Sequence, residues 1–144
     1  MKYYAVIDTN VLVSSLLSIH NDAATVLLIG RMISGDLIPV YSYDIMSEYR
    51  EVLSRRKFKF DKVLTDELLS AVERFGLMIE AASTGETLPD MKDLPFYEVV
   101  MEKRKEDDAY LVTGNLKHFP TADYIVTPNE MLRIMDNNIR IPEA

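Results

Sequence analysis

The sequence predicts an α/β fold in which a central parallel β-sheet of four to five strands is flanked by helices on both faces. Short apolar runs that end in turn-forming residues alternate along the chain with longer stretches of helical periodicity. This alternation is typical of a parallel sheet with crossover helices. The chain has 144 residues and is 48% hydrophobic, so we expect residues 1–144 to form a single domain around one core.

Four short apolar runs predict the strands of this sheet. They cover residues 2–7, 37–41, 110–113 and 124–126, and the tail at residues 139–141 is a candidate fifth strand. Pro39 lies inside the second run and favours an edge position or a strand start, because proline cannot donate a hydrogen bond to a neighbouring strand.

Apolar residues at helical spacing, together with capping residues, predict the helices. They cover residues 10–17, 22–34, 43–55, 65–78, a segment that begins near residue 93, and 127–135. Thr65 is a predicted N-cap, and Gly35 is predicted to end the second helix. Thr127 and Glu130 have the spacing of a capping box. Residues 82–94 lack any periodicity and predict a loop.

The composition narrows the classes of function. The absence of cysteine excludes disulfides, thiol catalysis and thiolate zinc sites, and it fits the cytosol. The N-terminus lacks the apolar core of a signal peptide and no apolar run has membrane length, so we expect a cytoplasmic protein without membrane contact. A net charge of -7 speaks against a nucleic-acid partner, although basic residues cluster at 50–62 and 103–105. These clusters are equally compatible with solvated helix ends.

Polar residues follow two of the predicted strands. Asp8-Thr9-Asn10 comes directly after the first strand, and Thr113-Gly114-Asn115 comes after the third. In parallel sheets, binding sites form beyond the carboxyl ends of the strands. The chemistry of this protein is therefore expected at that edge of the sheet.

Four side chains are candidates for that chemistry, and each has a structural alternative. Asp8 and Asp93 are also plausible helix caps. Glu48 on its predicted helix is also a typical solvated charge, and Asn115 is also a typical turn residue. Acids that meet at one sheet edge repel each other unless they hold a cation. Mg²⁺ or Mn²⁺ held by carboxylates can activate water for attack on a phosphodiester.

Taken together, these residues resemble the PIN-domain family, in particular the branch of VapC-like toxin ribonucleases. Four segments in the family's order carry the resemblance, and they cover residues 4–14, 46–53, 90–96 and 110–120. The first combines a strand with an acid, the second is a helix with an acid, and the fourth is a strand followed by a polar loop. Four weak matches in the right order and structural context make a strong one.

The resemblance implies a PIN-like fold and a metal-dependent endoribonuclease that hydrolyses RNA phosphodiester bonds. It assigns Asp8, Glu48 and Asp93 as ligands of Mg²⁺ or Mn²⁺ and, with Asn115, as the catalytic residues. It further implies the toxin of a toxin-antitoxin pair, a homodimer, and a small antitoxin protein that blocks the site.

Three polar neighbours are expected to support the acids. Thr9 and Asn10 are predicted to orient Asp8 by hydrogen bonds, and Thr113 is predicted to do the same from the other strand. His118 is interpreted as an exposed loop residue, with substrate contact as the alternative.

The sequence departs from the family's pattern at Asn115, where many relatives have an aspartate. An amide contributes no charge, so this change favours one metal over two. Asp90 and Glu98 are further candidates for the missing acid, although both are equally compatible with solvated positions.

Two other functions remain open at this stage. The first is a catalytically inactive PIN-like module that binds protein or RNA, and Asn115 with the net acidic charge supports it. The second is an α/β phosphatase that begins with a strand and an aspartate. It ranks lower because the usual second aspartate, two residues after Asp8, is replaced by Asn10.

Overall fold

The computed structural model of the protein describes residues 2–140. The elements, in chain order, are β1 (Tyr3–Ile7), α1 (Thr9–Leu17), α2 (Ala24–Ser34), β2 (Leu37–Tyr41), α3 (Tyr43–Leu53), α4 (Lys62–Phe75), β3 (Leu77–Met78), α5 (Leu94–Lys103), β4 (Ala109–Val112), β5 (Ile125–Val126) and α6 (Pro128–Arg140). Short 3₁₀ turns lie at Arg56–Phe58, Met91–Asp93 and Leu116–His118.

The five strands form one parallel sheet in the order β3-β2-β1-β4-β5. β1 is the central strand, and its consecutive residues Ala5, Val6 and Ile7 are all buried. Because consecutive strand residues point to opposite faces, this burial requires that both faces of the sheet are covered. The predicted α/β class with a helix-flanked parallel sheet is therefore confirmed.

The order in which strands are added to the sheet reverses at β1, with β2 and β3 on one side of it and β4 and β5 on the other. The chain runs outward from β1 to β2 and β3, and α5 then returns it to β4 on the other side of β1. Right-handed crossovers place α2 and α4 on one face and α5 on the opposite face. Consistent with this, α2 contacts α4 and β2, whereas α5 contacts β1, β2 and β4. At such a switch point a crevice opens beyond the carboxyl ends of the strands.

The fifth strand is β3, where the sequence predicts the end of a helix. α4 stops at Phe75, and β3 pairs only with Val40 and Tyr41 of β2. Pro39 therefore belongs to an inner strand, and the prediction of an edge position or a strand start is wrong. The rule behind the prediction still holds, because β3 pairs with Val40 and Tyr41 and not with Pro39.

The start of α4 also differs from the prediction. The N-cap is Asp61, whose side chain accepts a hydrogen bond from the Val63 amide at 2.8 Å. Thr65, the predicted cap, is buried inside the first turn of the helix. Asp61 lies four residues before Thr65, and its carboxylate accepts the hydrogen bond of the Val63 amide, one of the free amides at the start of the helix.

Two other predicted helix ends are confirmed. Gly35 adopts a left-handed conformation with φ of 89° and ends α2. The Thr127 amide donates to Glu130 Oε1 at 3.0 Å, and the Glu130 amide donates to Thr127 Oγ1 at 3.2 Å, which confirms the capping box. Residues 139–140 belong to α6 rather than to a tail strand, and Ile141 lies outside the described residues.

None of the helices within residues 2–140 is long and apolar enough to cross a membrane.

Candidate active site

Asp8 directly follows β1 and lies at the switch point of the sheet. Its amide donates to the Val112 carbonyl at 2.9 Å, which continues the pairing of β1 with β4. Asp8 is only 5% exposed. Its Oδ2 accepts hydrogen bonds from Thr113 Oγ1 at 2.8 Å and from Asn10 Nδ2 at 3.2 Å. Asp8 occupies the N-cap position of α1, but its side chain makes no capping hydrogen bond. Capping therefore does not explain why this carboxylate is buried.

Polar contacts join the loops that follow β1 and β4. The Gly114 amide donates to Asn10 Oδ1 at 3.0 Å, and the Asn115 amide donates to Thr113 Oγ1 at 3.0 Å. Since the Thr113 hydroxyl itself donates to Asp8, a series of hydrogen bonds runs from the Asn115 amide through Thr113 to the Asp8 carboxylate. These hydrogen bonds hold Asp8 in a single orientation.

Tyr49 anchors α3 over the end of β1. Its side chain is buried, and its hydroxyl donates to the carbonyl of Ile7, the last residue of β1. The ring also lies against Phe96 of α5, with 6.2 Å between the ring centroids. Because Glu48 precedes Tyr49 in α3, this anchor brings Glu48 to the edge where Asp8 lies.

The hydroxyl of Thr9 donates to Glu48 Oε2. The Thr9 hydroxyl thus orients Glu48, whereas the contact of Thr9 with Asp8 is a backbone hydrogen bond that lowers the pKa of Asp8. The reason is tertiary: Thr9 is the first residue of α1, and α1 packs against α3. Neighbouring residues in the first turn of α1 thus hold two different acids, Thr9 holding Glu48 and Asn10 holding Asp8.

His118 connects Asp93 to Asn115. Its Nδ1 lies 2.9 Å from Asp93 Oδ2, and its Nε2 lies 2.9 Å from Asn115 Nδ2. An amide nitrogen can only donate, so Nε2 accepts and Nδ1 carries the proton that it donates to Asp93. Asn115 is thereby oriented with its nitrogen towards His118, and its carbonyl oxygen is left for other partners.

The three carboxyls share one electrostatic environment. Burial raises the pKa of Asp8 to about 6; the Thr113 hydrogen bond opposes this rise, and the charges of Asp93 and Glu48 add to it. Burial also raises the pKa of Glu48. The hydrogen bond from Thr9 lowers this pKa, and the charge of Asp93 raises it further. The pKa of Asp93 is raised by burial too, and the hydrogen bond from His118 lowers it. Ionising all three acids together is therefore unfavourable without a counter-charge.

The residues fit a hydrated divalent ion better than a cage of three ligands. Within residues 2–140, no three acidic or histidine side chains are grouped so that they could hold one metal together. Mg²⁺ commonly uses one or two carboxylates and completes its coordination with water. In the same part of the chain, Asp8 and Glu48 form no ion pair with lysine or arginine. The buried Asp8 and the half-buried Glu48 are hard oxygen donors without a cation, which is a suitable donor set for Mg²⁺ or Mn²⁺.

The two further candidate acids have structural contacts of their own. Asp90 is exposed and accepts a hydrogen bond from the Lys92 amide at 3.0 Å, which caps the 3₁₀ turn before α5. Its charge raises the pKa of Asp93. Glu98 accepts from the Thr84 amide at 2.7 Å and so ties the preceding loop to α5. Of these two, only Asp90 acts electrostatically on the site acids.

A family model described as a PIN domain matches residues 4–117. The chain belongs to the PIN-domain family. The matched range spans most of the chain and includes Asp8, Glu48, Asp93 and Asn115, while His118 lies one residue beyond it. No curated protein and no solved structure gives a significant match to the chain. PIN domains are generally nucleases that act on RNA or other nucleic acids, and they typically use divalent metals.

Two residues of this PIN domain have a larger part in the site than the sequence indicates. His118, interpreted as an exposed loop residue, contacts both Asp93 and Asn115. In the sequence, the contact with Asn115 is indicated by the spacing of three residues between Asn115 and His118 within one predicted turn. Tyr49 looks like an ordinary core residue in the periodicity of α3, and nothing local identifies its bond to the Ile7 carbonyl.

Proposed function

We propose that this single PIN-like domain is a metal-dependent endoribonuclease, in which Asp8, Glu48 and Asp93 hold a hydrated Mg²⁺ or Mn²⁺, partly through its water molecules, and Asn115 assists. The observation that carries the proposal is the buried Asp8 carboxylate at the switch point. It accepts two hydrogen bonds, it has no cationic side chain as a partner within residues 2–140, and the charges of the two other acids act on it. Burying such a carboxylate lowers the stability of the fold, and carboxyls of this kind are concentrated at functional sites.

The chain's own residues would divide the work between charge and orientation. Mg²⁺ or Mn²⁺, when bound, supplies a Lewis acid that polarises the phosphate and activates water. Thr113 and Asn10 keep Asp8 fixed, and Thr9 keeps Glu48 fixed, so that little reorganisation is required when substrate arrives. His118 holds the Asp93 carboxylate by its Nδ1 proton.

Asn115 favours one metal over two. Its amide is neutral, and its nitrogen already bonds to His118. The Asn115 carbonyl oxygen can still accept a hydrogen bond from a water molecule, but it adds no charge to attract a second cation.

The proposal includes a cytoplasmic toxin role, a homodimer and an antitoxin that blocks the site, because the family resemblance implies them. Exposed apolar side chains on α2 and α4, namely Ile33, Val63 and Leu64, are surfaces that a protein partner would cover. Co-purification of the chain with the product of a neighbouring reading frame, and loss of cleavage in that complex, would test this part.

The alternative is a PIN-like module that binds RNA or protein without cutting. Two observations favour it: the neutral Asn115, and the absence of a three-ligand metal group within residues 2–140. The two functions differ in one measurable property, which is metal-dependent cleavage.

The deciding experiment is cleavage of varied single-stranded RNAs by purified protein, free of any antitoxin. We expect cleavage with Mg²⁺ or Mn²⁺ and none with EDTA. Asp93→Ala should reduce the rate by at least about a hundredfold, equivalent to roughly 2.7 kcal/mol of transition-state stabilisation. The exposed Asp123 serves as a control, and Asp123→Ala should cut like the wild-type protein.

Asn115→Asp separates the two functions more sharply. It adds a negative charge beside His118 and restores the residue that many relatives carry, so metal affinity and cleavage should be kept or increased. If neither the wild-type protein nor Asn115→Asp cuts any RNA with metal present, the chain is not a nuclease.

A further inference from the structure

Residues 50–62 carry an excess of positive charge in a chain that is acidic overall. They contain six basic and two acidic side chains, in a protein whose net charge is -7. Three of the basic groups form ion pairs: Arg50 with Glu73, Arg55 with Glu51, and Lys62 with Asp66. The other three, Arg56, Lys57 and Lys59, are exposed and form no ion pair within residues 2–140.

These groups surround a cleft between the end of α3 and the start of α4. The cleft has a volume of about 500 Å³, and five of its lining residues are basic, whereas one is acidic. The basic ones are Arg50, Arg55, Arg56, Lys59 and Lys62. Because Arg50, Arg55 and Lys62 are ion-paired, Arg56 and Lys59 supply the excess positive charge of the cleft. A cleft with an excess of one charge concentrates the field and attracts an extended polyanion.

The backbone at Lys59 supports a role for its side chain. Within residues 2–140, Lys59 is the one residue other than glycine with positive φ, at 54°. Glycine adopts this conformation without strain, whereas a lysine there costs on the order of 1 kcal/mol. Stacked rings of Phe58 and Phe60, with centroids 5.1 Å apart, flank Lys59 and hold the segment. Lys59 ends the 3₁₀ turn Arg56–Phe58, and its amide donates to the Arg56 carbonyl, so the backbone position that carries its side chain is fixed.

The cleft and the candidate active site share one element, α3, which carries Glu48 and contributes Arg50 and Leu53 to the cleft. Glu48 lies on α3, and Arg55 follows the last residue of that helix, Leu53, by two residues. The positive charge of Arg55 lowers the pKa of Glu48, so the two side chains lie close enough to interact. An extended strand that leaves the cleft past Arg55 therefore runs towards Glu48.

We propose that this basic cleft binds the phosphate backbone of single-stranded RNA and delivers the strand to the acids at the switch point. The inference rests on the proposed nuclease function for the identity of the polyanion. Backbone binding by a basic groove is independent of sequence and strongly dependent on salt.

The test is fluorescence anisotropy of a labelled single-stranded RNA of about a dozen nucleotides, titrated with the full chain in EDTA so that nothing is cut. Each lost phosphate contact should lower the salt slope by about 0.7, which is about fivefold in affinity near 0.1 M salt. The double variant Arg56→Gln/Lys59→Gln should therefore bind about 25-fold more weakly, with a slope smaller by about 1.4.

The matched control is Lys2→Gln/Lys105→Gln, which removes two exposed positive charges from the amino edge of the sheet. It should leave the slope unchanged. Equal weakening by both double variants would mean that only overall charge matters and would overturn the proposal. So would an oligoglutamate of equal charge that competes as well as RNA, since the cleft would then fit an acidic protein.

Lys59→Gly gives an independent reading. It removes the charge and relieves the strained backbone, so RNA affinity should fall about fivefold while the melting temperature stays the same or rises. Lower affinity together with a lower melting temperature would indicate a structural role instead.

The two proposals also fail separately. Metal-dependent cleavage with unaltered RNA binding by the cleft variants rejects the cleft alone. RNA binding through the cleft without any cleavage rejects the nuclease alone.

Discussion

The carboxylate of Asp8 makes the metal-free protein sensitive to pH. Burial is the largest cause of its raised pKa, about 6 in the folded chain against 3.8 for the free group. The folded protein therefore holds the proton of Asp8 at pH values where the unfolded chain has released it. By linkage, stability falls as pH rises from about 4 to about 6, and the loss is on the order of 3 kcal/mol above that range.

Asp8→Asn should remove this loss. The amide keeps an oxygen that can accept from Thr113, but it carries no charge to desolvate. In EDTA, urea unfolding should show little difference between the variant and the wild-type protein near pH 4. Above pH 6, the variant should be more stable by about 3 kcal/mol. The exposed Asp123 offers a control, since Asp123→Asn should follow the wild-type profile. Parallel pH profiles for Asp8→Asn and the wild-type protein would contradict the assignment.

The joint between α4 and β3 depends on close packing of backbone. A Cβ added to Gly76 would lie 2.3 Å from the Val72 carbonyl oxygen, 2.6 Å from the Pro39 carbonyl oxygen and 2.9 Å from Pro39 Cγ. Two of these atoms belong to the backbone and cannot rotate away. The short β3 strand thus reaches β2 only because residue 76 has no side chain.

Gly76→Ala should destabilise the fold by about 2–3 kcal/mol, because the backbone of β2 or α4 must shift to admit the methyl group. Gly30 is the matched control: it is exposed in the middle of α2, and a Cβ there would meet nothing within 4 Å. Gly30→Ala should stabilise the protein by about 0.5–1 kcal/mol through helix propensity. Urea unfolding of both variants measures the difference, and a neutral Gly76→Ala would show that this joint is loose.

For the molecule as a whole, we expect Mn²⁺ or Mg²⁺ to raise the melting temperature. The fold gathers Asp8, Glu48 and Asp93, whose charges oppose one another, and a bound cation relieves that repulsion only in the folded state. At a metal concentration about 100 times the Kd, the gain is about 2.7 kcal/mol. In a chain of this size that corresponds to several degrees.

Asp8→Asn should reduce this metal-induced shift, while Asp123→Asn should keep it. The measurement is thermal unfolding with and without Mn²⁺ at constant ionic strength. An undiminished shift in Asp8→Asn would show that the metal binds elsewhere.

The candidate site could be predicted from the sequence where a residue's position follows from its element. Asp8 and Thr113 each follow a buried apolar strand, and the carboxyl ends of parallel strands share one edge. The side-chain partner of Thr9 could not be predicted, because it depends on how α1 packs against α3. The roles of His118 and Tyr49 are of the same kind, since each bonds to an atom far away in the chain.

The sequence by itself determined the α/β class, the end of α2 at Gly35 and the capping box of α6, because each depends on residues that are neighbours in the chain. Only the tertiary structure decided that β3 completes the sheet, that Pro39 lies in an inner strand, and that three acids share one electrostatic environment. These features depend on contacts between segments distant in sequence, and a two-residue strand has too few residues to show any periodicity. Local patterns specify the elements, whereas the packing of those elements specifies which polar groups meet.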